Sequence, residues 1–243
     1  MNPVSTIDTL RSLKLPAMAD IYEASLRFTP TEAPTTGELL ARMSEAEWNL
    51  RQQRKTNRLL KQATLRIPAS LDRITFSPER NLNADAIGTL STMEWAKNGE
   101  TVLITGPTGV GKSFLACALG HEACLKGITT RYRPAIKLLP ELRMARIDGS
   151  YHEHILKLYR TGLLIIDDFA LQPLTADDRL ALLEILDDRY NRAGTVIVSQ
   201  LTVNTWHELI GEPTIADAVM DRLAHTPWVF ELKGGSRRAK TGS

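Results

Sequence analysis

No part of this chain is apolar for long. The longest obvious run, Leu163 to Ile166, is far shorter than the roughly 20 residues a membrane-crossing helix needs. The opening segment MNPVSTIDTLRSLKLPAMAD also lacks the unbroken apolar core of a signal peptide, which argues against export. Cysteine is scarce. Cys117 and Cys124 are the two thiols, seven positions apart and hence near one face of a helix, and they read as small buried hydrophobes rather than a metal or redox pair. His152 and His154 stand at i,i+2, share no helix face, and read as surface residues. Charge is nearly balanced at +2, so its distribution matters more than its sum. Internal repeats and low-complexity segments are missing. These absences leave a cytoplasmic chain with no membrane contact as the expectation, large enough at 243 residues for an α/β domain with an appendage.

Against that background one segment stands out. Gly106, Pro107, Thr108, Gly109, Val110, Gly111, Lys112 and Ser113 spell a complete G-x-x-x-x-G-K-[ST] loop, with Phe114 immediately after it. The loop lies between a β-branched run, residues 101–105, and a helix-like stretch from Lys112, and that context gives the pattern its chemistry. Glycines let backbone N–H groups turn inward onto phosphate oxygens, and the following helix directs its positive dipole end at the same anion. Lys112 is placed to reach the β- and γ-phosphates, and the Ser113 hydroxyl to hold Mg²⁺. A nucleoside triphosphate is therefore the expected ligand. No guanine-reading Asn-Lys-x-Asp motif follows the fourth strand, which favours ATP.

From residue 101 onward strand and helix signals alternate. Strands are expected near 101–105, 128–133, 163–167, 195–199 and 228–232, and helices near 112–126, 135–147, 151–161, 176–192, 204–210 and 214–225. Such alternation predicts a parallel sheet covered by helices on both faces. The continuously apolar runs 163–166 and 196–198 are those of central strands. The first of them ends in Asp167 and Asp168. Ligands collect at the carboxyl ends of parallel strands, so Asp167 is expected beside the Mg²⁺ and Asp168 is expected to orient and deprotonate a water attacking the γ-phosphate. Ser199 and Gln200 end another strand at the same edge; either a contact to the water or γ-phosphate or a plain strand-to-loop transition fits the pattern.

Residues 1–66 carry helical periodicity and no strand signal. Two short helices, interrupted at Pro16, precede a loop over 30–37 and a long helix over about 38–65. Leu39, Leu40, Met43, Ala46 and Leu50 form its apolar stripe; beyond them Arg51, Arg54, Lys55, Arg58 and Lys61 recur at spacings of three and four. No acidic residue lies between Trp48 and Arg66. Like charges at this spacing repel, and a polyanion would relieve them, so the stripe is expected to meet nucleic-acid phosphates without reading sequence. Residues 67–82 read as a connector, giving a helical domain over 1–66 and a nucleotide-binding domain over 67–243. A second, weaker basic footprint falls on Arg131, Arg133, Lys137, Arg143, Arg146, Lys157 and Arg160.

Taken together, the loop 106–113, the strand 163–168, Ser199-Gln200 and the tail from Asp221-Arg222-Leu223 through Arg238 resemble the AAA+ ATPases of the initiator and helicase-loader group. Within it they resemble the IstB-like transposition helpers encoded beside insertion-sequence transposases, with DnaC-like helicase loaders as near relatives. The segments 13–19 and 66–69 also resemble IstB-like sequences. The resemblance implies a P-loop AAA+ core behind a small all-α N-terminal domain. It makes Lys112 and Ser113 Walker A, Asp167 and Asp168 Walker B, Ser199 the sensor-1 position, and Arg222 an arginine finger acting on ATP held by a neighbouring subunit. The sequence departs from the wider AAA+ pattern in two ways: Asp168 stands where most members carry Glu, and few residues follow 229–232, so no C-terminal helical lid is expected. Ser236, Arg237 and Arg238 are the remaining candidates for a phosphate contact from that side.

The implied activity is that of an ATP-dependent helper of transposition. It forms a homo-oligomer on duplex target DNA with ATP at subunit interfaces, recruits or stimulates a transposase, and is remodelled by hydrolysis. A DnaC-like replicative helicase loader is the alternative; a small-molecule P-loop kinase and an ATP-bound scaffold without turnover are further ones.

Overall fold

The computed structural model describes residues 3–29, 33–224 and 228–236, which form two compact units, 1–58 and 59–243. The division falls inside a helix rather than at the 66/67 boundary, because the last turn of that helix packs into the second unit: Leu59 and Ala63 lie against Cys124.

In the first unit, α1 (Pro3–Ser12) and α2 (Pro16–Ser25) are separated by Lys14, at φ 60°, and by Pro16, whose fixed φ suits the first turn of a helix. The long helix α3 (Thr36–Ala63) begins with reciprocal bonds: the Thr35 N–H donates to Glu38 Oε2 at 2.9 Å and the Glu38 N–H to Thr35 Oγ1 at 3.3 Å. From α3 the buried Glu47 carboxylate accepts the Ala17 N–H at 3.1 Å, placing an anion on the exposed donors at the start of α2.

The second unit is built on five parallel strands in the order β2-β3-β4-β1-β5: β1 (Thr101–Thr105), β2 (Thr130–Pro134), β3 (Leu163–Phe169), β4 (Gly194–Ser199) and β5 (Trp228–Glu231). This is the expected α/β architecture, with helices on both faces. Successive strand residues face opposite layers. Val102, Ile104, Leu163, Ile165, Val196 and Val198 pack with α6 (Lys112–Leu125) and with α4 (Ala84–Ser91), whereas Leu103, Leu164, Ile166 and Ile197 meet the other layer. That layer comprises α7 (Ala135–Asp148), α8 (Tyr151–Tyr159), α9 (Ala176–Arg189), α10 (Trp206–Ile210) and α11 (Pro213–Ala224). Both thiols are buried inside α6, as read from sequence, and burial pushes each above its ordinary range.

The stretch between the connector and β1 holds more structure than its sequence signals. Single 3₁₀ turns at Leu71–Arg73 and Pro78–Arg80 precede α4, capped by the Asn83 side chain on the Asp85 N–H at 2.8 Å, and the four-residue α5 (Glu94–Lys97). Ile74, Leu82, Leu90, Met93 and Trp95 from this stretch are all buried beside α6. After α11 the described chain resumes as β5 and a bent segment to Ser236; Arg237 and Arg238 lie outside the described residues.

Candidate nucleotide-binding site

β4 lies between β1 and β3, so the loop leaving β1 and the acids ending β3 open at the same sheet edge, separated by the width of one strand. Gly106, at φ 136°, and Gly109, at φ 89°, give the loop its turns. Both also meet chain that a Cβ would strike: one on Gly106 would lie 2.2 Å from the Leu232 carbonyl oxygen, and one on Gly109 would lie 2.4 Å from Ser236 Oγ. The segment after β5 therefore walls the outer side of the loop. Ser236 stands against Gly109.

Lys112 opens α6 and is buried, with its ammonium donating to the carbonyls of Gly106 at 2.7 Å and Pro107 at 2.9 Å. Ser113 follows in the first turn of α6, at the positive end of that helix.

Across the edge, the pairing of β3 with β4 slips between Ile166 and Phe169, and Asp168 adopts φ 55°, a left-handed conformation that aspartate tolerates better than most residues. Asp167 is fully buried: its Oδ1 accepts the Asp168 N–H at 2.7 Å, and its Oδ2 accepts the Tyr132 hydroxyl from β2. Burial first, and then the bond to Asp167, pushes the Tyr132 phenol far up, so it stays a donor. Asp168 Oδ2 lies 3.0 Å from the guanidinium of Arg66, which also approaches Asp167 at 3.9 Å. The hydrogen bond to Tyr132 and then the Asp168 carboxylate raise the Arg66 guanidinium above its ordinary value.

Of the two polar residues ending β4, Gln200 reaches the loop: its Oε1 accepts the Thr108 hydroxyl at 2.8 Å. Ser199 is buried, donating to the Phe169 carbonyl at 2.8 Å and accepting the Leu201 N–H at 3.1 Å. Its hydroxyl ties β3 to β4, so Gln200 is the side chain at this strand end that faces the loop.

Thr108, Gly109, Gly111, Lys112, Ser113, Phe114, Asp168, Gln200 and Arg66 line one cavity of about 690 Å³. A second, of about 600 Å³, lies against Val110 and is bounded by Thr75, Ser77, Arg80 and 233–236. Arg80 is buried, with its guanidinium on the carbonyls of Val110 at 2.9 Å and Thr75 at 2.7 Å, bracing the loop from behind. Pro107 makes its contribution through its carbonyl, and Val110 through burial beneath the loop.

The remaining expected residues lie elsewhere. Arg222, on α11, pairs with Asp187 at 2.6 Å and Asp221 at 2.7 Å, and does not line the 690 Å³ cavity. Arg51, Arg54, Lys55, Arg58 and Lys61 are all exposed on α3, as their spacing implies. Arg51 pairs with Glu47 at 3.0 Å; among the described residues no acid pairs with the other four. The weaker footprint fares worse, because Arg133, Arg143, Arg146 and Lys157 are each bound to an acid of their own chain.

The donors present suit Mg²⁺. Asp167 keeps a second lone pair on each oxygen and Ser113 adds a hydroxyl. Few oxygen donors beside a phosphate loop are what a cation that keeps waters and shares substrate phosphates requires.

The chain matches the family of IstB-like ATP binding proteins over residues 8–243. It is 40% identical over 233 residues to a protein of Sinorhizobium fredii named as an insertion sequence ATP-binding protein, covering 96% of this chain and 95% of that one. In fold it is similar to the DnaC helicase loader, with a TM-score of 0.56 and 20% identity over 68% of this chain and 97% of that chain. It is likewise similar to the replication initiator DnaA bound to AMPPCP and single-stranded DNA, with a TM-score of 0.59 and 18% identity over 71% of this chain and 52% of that one.

Proposed function

The chain belongs to the IstB-like ATP-binding proteins of insertion sequences, and from that membership we propose that it is an ATPase that assembles on duplex target DNA and engages the transposase. The observation that carries the reading is the shared cavity in which Lys112, Ser113, Asp168 and Gln200 meet. The loop N–H groups and Lys112 bind the phosphates once the ammonium exchanges its two loop carbonyls for them. Ser113 and Asp167, the latter oriented by Tyr132, hold Mg²⁺, which supplies charge neutralisation at the phosphates. Asp168 orients the attacking water, and Gln200 replaces Ser199 as the polar group facing the loop from β4. Arg222 reaches the ATP of a neighbouring subunit, exchanging its exposed ion pairs at small cost. The unpaired cations of α3 meet DNA phosphates without reading sequence.

Light scattering, with and without a non-hydrolysable ATP analogue and plasmid DNA, tests this. A large complex requiring both ligands is expected. Lys112→Ala should abolish it, whereas Asp168→Asn should leave assembly intact and block its dismantling. A monomer that binds nucleotide and ignores DNA, or identical behaviour of the two variants, rejects the switch. The fold shared with a helicase loader supports a second reading, in which the partner is a replicative helicase; pull-down against transposase and helicase separates the two.

A further inference from the structure

Arg66 belongs to neither the phosphate loop nor the β3 acidic pair, yet its guanidinium touches both acids of the site, 3.0 Å from Asp168 and 3.9 Å from Asp167. A carboxylate oxygen that receives a guanidinium N–H has less room for the water it would orient. We propose that Arg66 is a positioning residue for hydrolysis: it latches Asp168 as seen here, and the triphosphate draws it off, so that Asp168 meets water only once the cavity is filled. The inference rests on the reading of Asp168 as the water-orienting acid.

Which partner moves follows from the surroundings. Asp168 is fixed by its left-handed backbone at the β3–β4 slip, and its own N–H is held by Asp167. The Arg66 backbone is also fixed, since Leu65 and Ile67 on either side pack against the buried core. The Arg66 side chain itself is 47% exposed, long and unbranched, so it is the part free to swing. It lines the same cavity as Lys112 and Ser113, and a triphosphate lodged there offers a denser anion than one carboxylate. An ion pair with one partner this exposed is weak enough to be exchanged.

The test is a double-mutant cycle of Arg66→Gln and Asp168→Asn read as melting temperature, so that the contact is measured apart from activity. Without nucleotide the two substitutions should be non-additive, with a coupling of about 1–3 °C; with Mg²⁺ and a non-hydrolysable ATP analogue the coupling should vanish. Additivity in both conditions, or the same coupling in both, overturns the proposal. In steady state, Arg66→Gln should lower the KM for ATP roughly twofold to fivefold, the factor an exposed ion pair converts to, with kcat unchanged because the filled cavity has already opened the latch. Arg66→Lys should restore the higher KM. A rise in KM or a fall in kcat would make Arg66 a phosphate ligand and overturn the latch. Failure of the ATPase reading is distinguishable, because it would show as wild-type turnover indifferent to Lys112→Ala, whereas the melting cycle would still report whether nucleotide breaks the pair.

Discussion

Arg189 shows how much a single side chain can organise here. It is 2% exposed and meets no acid among the described residues; its guanidinium donates instead to Thr195 Oγ1 at 3.0 Å and to the carbonyls of Leu158 and Thr161 at 2.8 Å each, with Gly194 as a fourth acceptor. Two of those carbonyls lie at the end of α8, where a helix exposes acceptors and welcomes positive charge. Desolvation lowers the guanidinium to about 10, which still leaves it charged at neutral pH. Arg189→Met should therefore strand several buried carbonyls and cost about 3 kcal/mol or more, read as a lower urea midpoint with an unchanged m-value. Nothing in the sequence separates Arg189 from other helix arginines. The same holds at the site. That Lys112, Ser113 and Asp168 would line one cavity, with Asp167 beside them at the end of β3, was legible because their motifs are local. The contact of Arg66 with Asp168 was not, because the two are 102 positions apart, and neither was the contact of Gln200 with Thr108, which depends on which of two adjacent side chains turns toward the loop.

At the scale of elements, the alternating strands and helices were read nearly to their ends, because a two-sided parallel sheet demands continuous apolar strands. The stretch 71–97 was not, since 3₁₀ turns and a four-residue helix are too short to show periodicity. The helix α3 was legible in its extent and its basic half, whereas Leu40 of the expected apolar stripe is exposed and Glu47 is buried nearby; among the described residues Arg54, Lys55, Arg58 and Lys61 meet no acid, while much of the 131–160 region is paired internally. Reversing Arg54→Glu and Arg58→Glu together should then weaken duplex binding about tenfold or more. It should also lower the slope of log affinity against log salt by about two, one per lost phosphate contact, with helicity by circular dichroism unchanged. An unaltered salt slope would remove α3 from the DNA interface.

For the whole molecule, Arg222 tests whether one chain completes another's site. It sits on α11, bound to Asp187 and Asp221, and does not line its own chain's 690 Å³ cavity. Arg222→Ala alone should lose about 100-fold or more in turnover, and Lys112→Ala alone should be inactive. Mixing the two should restore part of the activity, because intact Arg222 from one variant meets intact Lys112 on the other; no recovery on mixing would confine Arg222 to a structural role. The wall formed by Leu232 and Ser236 against Gly106 and Gly109 carries a consequence for biosynthesis. A ribosome makes the phosphate loop about midway through this chain and makes that wall only after β5. A nascent chain that has passed β3 but not reached Leu232 holds every Walker residue and still lacks the backbone against which Gly106 and Gly109 pack, so the outer side of the loop stays open until the segment beyond β5 emerges.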